Sequence, residues 1–157
     1  MKWKTNNICW LDADSMPISM SQILSTIGSK KAYEIHIGCD SHKRRNQYVF
    51  AIVIAAYIKN RGGIFFFHRK RSRDTCLSNL RTRLMKEVEL AIKLAGEIQN
   101  HFPNKEITVH LDVNPKREYP SYIVLQNAVS WVRACGYEAL VKPNAWASSD
   151  LADAFAK

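Results

Sequence analysis

Cysteine pairs at metal-binding spacing are missing from this chain: Cys9, Cys39, Cys76 and Cys135 are scattered, with no C-x-x-C and no zinc pattern. That argues against a zinc ribbon, and Cys39, inside an apolar β-run, reads as a buried, reduced structural thiol. Also missing is an apolar run long enough for a membrane, since the longest, Val49 to Ile58, is about half a span. No apolar run near the start follows a basic segment, so no secretory leader is expected and a cytoplasmic setting is. Internal repeats, linkers and low-complexity tracts are absent too. Acidic residues are in the minority, 14 against 23 Lys and Arg, and the formal net charge of +9 points to a polyanionic partner such as nucleic acid. Apolar residues are not scarce. At 46% of 157 residues they exclude a disordered chain and suit one compact domain over residues 1–157, with 1–30 as an extension carrying a short helix.

Periodicity supplies the elements. A helix is expected from Ser19 to Ile27: Ser19 can cap it, Met20, Ile23, Leu24 and Ile27 form one stripe, and Gly28 can end it. Tyr33 to Asp40 alternates, with Ile35, Ile37 and Cys39 on one face and His36, Gly38 and Asp40 on the other. Tyr48 to Ile58 is apolar on both faces, a fully covered strand, and Gly62-Gly63 turns the chain into Ile64 to Arg69. From Ser78 to Asn100 the period becomes helical, with Leu84, Val88, Ala91, Leu94, Ala95 and Ile98 as the buried stripe. Ile107, Val109 and Leu111 then alternate with Thr108, His110 and Asp112. A helix from about Ser121 to Cys135 stops at Gly136, Tyr137 to Val141 forms a last strand, and Pro143 leads into a terminal helix. Residues 1–18 show no clear period; Trp3 and Trp10 are expected to pack on the elements after them, and Asp12 and Asp14 to lie at the surface. The order β-β-β-α-β-α-β-α implies an α/β fold in which the strands after the first helix join the first strand on its free side by parallel crossovers.

Four carboxylates stand out against this pattern. Asp40 ends the polar face of the first strand, and Asp112 does the same in the later central strand. Glu87 falls on the helical wheel between Leu94 and Ile98, inside the apolar stripe, and Asp153 lies in the terminal helix. Acids among core neighbours are costly unless paired or metal-bound, and four of them suggest one shared cation site.

The stretches IHIGCDSH (35–42), LRTRLMKEVELAIKLAGEI (80–98), VHLDV (109–113) and KPNAWASSDLADAFAK (142–157) resemble the YkuK family of ribonuclease H-like proteins. The resemblance implies a five-stranded mixed sheet, order 3-2-1-4-5, flanked by helices. It also implies that Asp40, Glu87, Asp112 and Asp153 form the catalytic and metal-binding set, holding two Mg²⁺ or Mn²⁺ ions, with Asp40 bridging, Glu87 and Asp112 completing one site and Asp153 the other. The activity it implies is hydrolysis of phosphodiester bonds, with RNA or RNA/DNA hybrid favoured. Two other readings use the same chain: a nucleic-acid-binding module without catalysis, and a dimeric enzyme of the DNA-junction resolvase kind.

Outside the acids, Lys43, Arg44 and Arg45 follow the first aspartate, and Arg69, Lys70 and Arg71 with Arg73 follow the third strand; such clusters either position a phosphate backbone or are solvated charge at loop tips. No histidine lies between Lys142 and Ser149, where classical ribonuclease H carries a proton shuttle. His42 is the nearest substitute but reads as a solvated loop histidine, and His36 and His110 read as packed, hydrogen-bonded core residues. Tyr48 and Trp146 read as packing residues. Asp150, three residues before Asp153, is assigned to the start of the terminal helix.

Overall fold

The computed structural model describes residues 9–157, so Trp3 lies outside the described residues. A seven-stranded mixed sheet runs in the order β2-β1-β5-β4-β3-β6-β7. Its centre is β3 (Glu34–Arg44), β4 (Gln47–Ile58) and β5 (Gly62–Ser72), an antiparallel meander. On the free side of β3, β6 (Ile107–His110) and β7 (Glu138–Leu140) add in parallel. These five strands have the order that the family resemblance implies. The other two, β1 (Trp10–Asp12) and β2 (Pro17–Ile18), correct the strand count: they form a small hairpin that pairs with the outer edge of β5, Leu11 opposite Phe67. An edge strand left bare presents a row of unpaired N–H and C=O groups, and this hairpin covers part of it. Residues 10–18 carry no alternating apolar run that would mark either strand. Trp10 is buried against the His68 ring, and Asp12 Oδ1 accepts from the N–H groups of Asp14 and Met16 to close the turn.

The helices follow local chemistry. In α1 (Met20–Gly28) Ser19 and Gln22 form a reciprocal capping box, and Ile23 and Ile27 are buried. Asn79 caps α2 (Leu80–His101) by accepting from the Thr82 N–H. The expected helix over 121–135 divides into a 3₁₀ turn, Pro120–Val124, and α3 (Leu125–Ala134). The terminal helix is mostly a π-helical turn, Ala147–Ala152, ending in one turn of α-helix, α4 (Asp153–Ala156).

Each face of the sheet is covered by a different layer. Ile35, Ile37 and Cys39 of β3, with Phe50, Ile52 and Ile54 of β4, pack in one core with Leu84, Val88, Ala91, Leu94 and Ile98 of α2. Ala51, Val53 and Phe67 point the other way and pack under Ala152 and Ala156 of the C-terminal segment. That double cover explains why β4 is apolar on both faces. The position of Glu87 beside the strand aspartates suggests that its helix covers their face, and the structure corrects this: α2 covers the face opposite to Asp40, and the C-terminal segment covers Asp40's own side.

Candidate active site

Strand register brings the first two acids together. In the parallel β3·β6 pair Gly38 lies opposite His110, so Asp40 and Asp112, each two residues further on, leave that level side by side with the same parity. Asp40 is interior to β3 rather than at its end, because β3 continues to Arg44 as the long arm of a hairpin. His42 therefore shares Asp40's face. Its Nε2 lies 3.2 Å from Asp40 Oδ2 and 2.8 Å from Asp153 Oδ1. Lys157 Nζ donates to the other oxygen of Asp153 at 2.6 Å.

Asp112 is held from the other side. Its Oδ1 accepts from Lys142 Nζ at 2.7 Å and from the Ser149 hydroxyl at 3.1 Å. Glu87 comes from the α2 face, buried in the stripe that the helical wheel gave it, and accepts from the Ser41 hydroxyl at 2.5 Å. All four carboxylates line one open cleft of about 430 Å³, together with His42, Arg83, Tyr119, Ser121 and Lys142. Asp150 is exposed and outside that lining.

Crowded acids in a partly dry cleft resist ionising together. Burial, then the Asp112 charge, pushes the Asp40 carboxyl up to about 7, against the pull of the Ser41 N–H and of His42. Burial also carries Glu87 well above the usual carboxylate range, with Asp40 adding to it and the Ser41 hydroxyl opposing. For Asp153 burial pushes up as well, but hydrogen bonds from Lys157, His42 and Asp40 outweigh it and hold the group below its ordinary value. Between neighbouring carboxyls Asp40 holds the proton and Asp153 stays anionic. A divalent cation would favour the ionised form of both, and the donors fit one: Asp40, His42 and Asp153 each offer a ligand atom within 4.8 Å of the other two.

The π-helical turn that carries Ser149 is anchored from below. A Cβ on Gly38 would collide with the backbone carbonyl of Ala147, so only glycine lets the turn lie on β3. The Ala147 N–H donates to His110 Nδ1 at 3.2 Å, which leaves the proton of neutral His110 on Nε2, where it donates to His36 Nδ1 at 2.9 Å. The proton of His36 is then on Nε2, which has no hydrogen-bond partner among the described residues and lies 3.5 Å from Glu34 Oε2. Burial, followed by the neighbouring His36, pushes His110 down to about 3, so the pair stays neutral. Trp146 packs on both rings and on Tyr57, and Tyr48 is buried, so both aromatics serve packing. The two histidines are the packed core residues that the sequence indicated.

The basic clusters separate. Lys43 lines the cleft, while Arg44 and Arg45 stand exposed at the β3–β4 hairpin, where Arg45 takes a positive φ of 53°. Arg69, Lys70 and Arg71 lie within β5, not after it, and strand alternation splits them. Arg69 Nε donates to the Phe155 carbonyl at 2.6 Å, tying α4 to the sheet, whereas Lys70 faces α2, where burial and then Lys86 and Lys93 lower its proton affinity. Sequence reasoning missed Lys142, Ser41 and Arg83 as members of the cleft and Ser149 as a donor to Asp112, and misread His42 as a loop residue. Its position two residues beyond Asp40, with the strand prolonged, was the signal for the histidine.

The sequence profile of the family described as Ribonuclease H-like matches residues 19–157. The chain belongs to the ribonuclease H-like family. The match spans everything from the α1 cap to the last residue and omits the β1–β2 hairpin, so the two extra strands lie outside the family's portion. Comparison with curated proteins and with solved structures gives no significant match. The five strands β5-β4-β3-β6-β7 are consistent with a ribonuclease H-like fold. No helix among the described residues is long and apolar enough to cross a membrane.

Proposed function

We propose that this ribonuclease H-like protein is a divalent-metal-dependent nuclease that hydrolyses phosphodiester bonds, with RNA or an RNA/DNA hybrid as substrate. The observation that carries this reading is the convergence of Asp40, Glu87, Asp112 and Asp153 on one open cleft beside His42 and Lys142. So many acids in a basic protein have no structural purpose that a few salt bridges would not serve at lower cost. Two ions of Mg²⁺ or Mn²⁺ held there would supply an activated water, neutralise charge at the phosphorus and stabilise the leaving oxygen.

The protein's own part is placement. Asp40 is shared between the two halves of the cleft, with His42 and Asp153 on one side and Asp112 on the other. Ser149 and Ser41 orient Asp112 and Glu87 by donating to their oxygens. An imidazole in the donor set favours Mn²⁺ over Mg²⁺, because nitrogen suits the softer ion. Lys43, Arg83 and Lys142 edge the cleft with positive charge for a phosphate backbone, and the exposed Tyr119 ring offers a base a surface to stack on. The free thiols of Cys9, Cys39, Cys76 and Cys135 support a reducing, cytoplasmic setting.

The deciding experiment incubates the pure protein with labelled RNA, DNA, hybrid and branched substrates in Mg²⁺, Mn²⁺ or EDTA. Cleavage of RNA or hybrid with metal only, lost in Glu87→Gln and Asp112→Asn, is the expected result. Binding without cleavage of any substrate means a nucleic-acid-binding module instead, and preference for branched DNA by a dimer means a resolvase-like enzyme.

A further inference from the structure

Each flank of the cleft holds an ammonium, and the two are held differently: Lys157 Nζ, on the last residue and 62% exposed, is 2.6 Å from Asp153 Oδ2, whereas Lys142 is more covered and is fixed through its backbone. On one side of Asp40 three donors, one each from Asp40, His42 and Asp153, lie within 4.8 Å of one another. On the other side stands an ammonium: Lys142 Nζ is 2.7 Å from Asp112 Oδ1 and lies in the combined field of Asp112, Asp40 and Asp153. This is not a loose surface lysine falling on the nearest acid. The Lys142 backbone N–H is pinned to the Val113 carbonyl at 3.1 Å, one residue from Asp112, and the Ser149 hydroxyl meets the same Asp112 oxygen at 3.1 Å from the other direction. The acid, the lysine and the π-helical turn thus meet at one oxygen, and the ammonium is the cation that Asp112 holds in this structure.

We propose that Lys142 is a built-in cation of the cleft, one that makes the two metal positions unequal. An ion beside Asp40, His42 and Asp153 meets only the solvent-screened ammonium of Lys157, whereas an ion on Asp112 must either displace the more covered Lys142 ammonium or bind against its repulsion. Like charges a few ångströms apart in a partly desolvated cleft interact strongly enough for the difference to show as an order of magnitude in affinity or more. The four-carbon stem of lysine lets the head swing away without moving the backbone, so the second position is restrained rather than blocked. This inference rests on the metal-dependent nuclease reading and assigns to Lys142 a role in setting metal occupancy.

The test is a Mn²⁺ titration of the full chain at neutral pH, with free Mn²⁺ followed by electron paramagnetic resonance, on wild type, Lys142→Met, Lys142→Gln and Lys142→Arg. The side chain is 39% exposed, so the neutral variants are expected to fold, and thermal melts in EDTA check that they do. Wild type and Lys142→Arg are expected to show one tight ion and a second about tenfold weaker or more; in Lys142→Met and Lys142→Gln the second tightens by about tenfold or more, and the first moves by less than about twofold. Equal affinities in all four proteins, a weaker second ion in the neutral variants, or no Mn²⁺ bound by wild type would each overturn the proposal. Cleavage is scored separately. Unequal sites without cleavage leave this inference standing and sink the nuclease reading, while cleavage with two equal sites does the reverse.

Discussion

Replacing Asp40 by asparagine is expected to stabilise the metal-free protein, and the size and pH dependence of the gain come from the site itself. Asp40 is 5% exposed and the pKa of its carboxyl rises from the ordinary 3.8 to about 7, chiefly through burial and the Asp112 charge. At about 1.4 kcal/mol for each tenfold in proton affinity, ionising Asp40 in the folded state costs up to about 4 kcal/mol more than ionising it in the unfolded chain. A group whose folded value is raised contributes its stability below the unfolded value and loses it as pH climbs through the folded one. Wild type should therefore lose stability between about pH 4 and pH 7 and then level off. Asparagine keeps the volume, can still accept the Ser41 N–H, and does not titrate. Urea unfolding in EDTA from pH 4.5 to 8.5 should show the variant ahead by about 1 kcal/mol at the acid end, with the gap widening to between about 2 and 4 kcal/mol above pH 7. Added Mn²⁺ should reverse the order, since only wild type gains a bound ion. A gap that ignores pH, or a variant less stable than wild type at pH 8, would refute the reasoning and make Asp40 the anionic half of a structural pair with His42.

Further outcomes test the rest of the cleft. Asp153→Asn should lower turnover by orders of magnitude with partial rescue at high Mn²⁺, measured as initial cleavage rates; Asp150→Asn, exposed and outside the cleft, should leave them near wild type and shift stability by less than about 0.5 kcal/mol. Triple replacement of Lys43, Arg44 and Arg45 by alanine should shallow the salt dependence of nucleic-acid binding by about 0.7 to 0.9 in slope for each phosphate no longer neutralised, and an unchanged slope would mark the hairpin tip as solvated charge. Gly38→Ala should cost about 3 kcal/mol in chemical denaturation, because the new methyl meets backbone rather than a side chain that can turn aside. A neutral result there would mean that the π-helical turn sits higher over β3.

What the sequence disclosed and what it withheld divide along a physical line. Periodicity marks alternating and helical runs, so β3, β4, α2 and the burial of Glu87 were legible; the crossover rule put the later strands on the free side of β3, and the family resemblance supplied the full order β5-β4-β3-β6-β7. Periodicity is silent where a short element carries no alternating run, as in the β1–β2 hairpin, and where charge interrupts a strand that hairpin pairing prolongs. The run His42-Lys43-Arg44 looks like a loop, yet it pairs with Gln47, Tyr48 and Val49, and this is how His42 reached Asp40 unnoticed. Arg69 to Arg71 were misplaced for the same reason. Lys142 and Ser149 carried no local signal at all. Their roles depend on where the segment after β7 returns across the sheet, which Gly38 and the two buried histidines decide.

The two layers that cover the sheet differ in strength. The α2 side is filled by branched aliphatic and aromatic side chains drawn from the long elements, while the C-terminal segment is held by Ala51, Val53, Phe67, Ala152 and Ala156, with Phe155 stacked on Phe67 at 3.9 Å and the Arg69 hydrogen bond as its tether. Less buried apolar area means a smaller free energy of local opening, so the segment forms the looser cooperative unit. Asp153 and Ser149 travel with that unit; Asp40, Glu87 and Asp112 stay with the firm one. The cleft is thus split between two levels of local stability, and a ligand gripping Asp40 and Asp153 together would spend part of its binding free energy closing the segment like a latch.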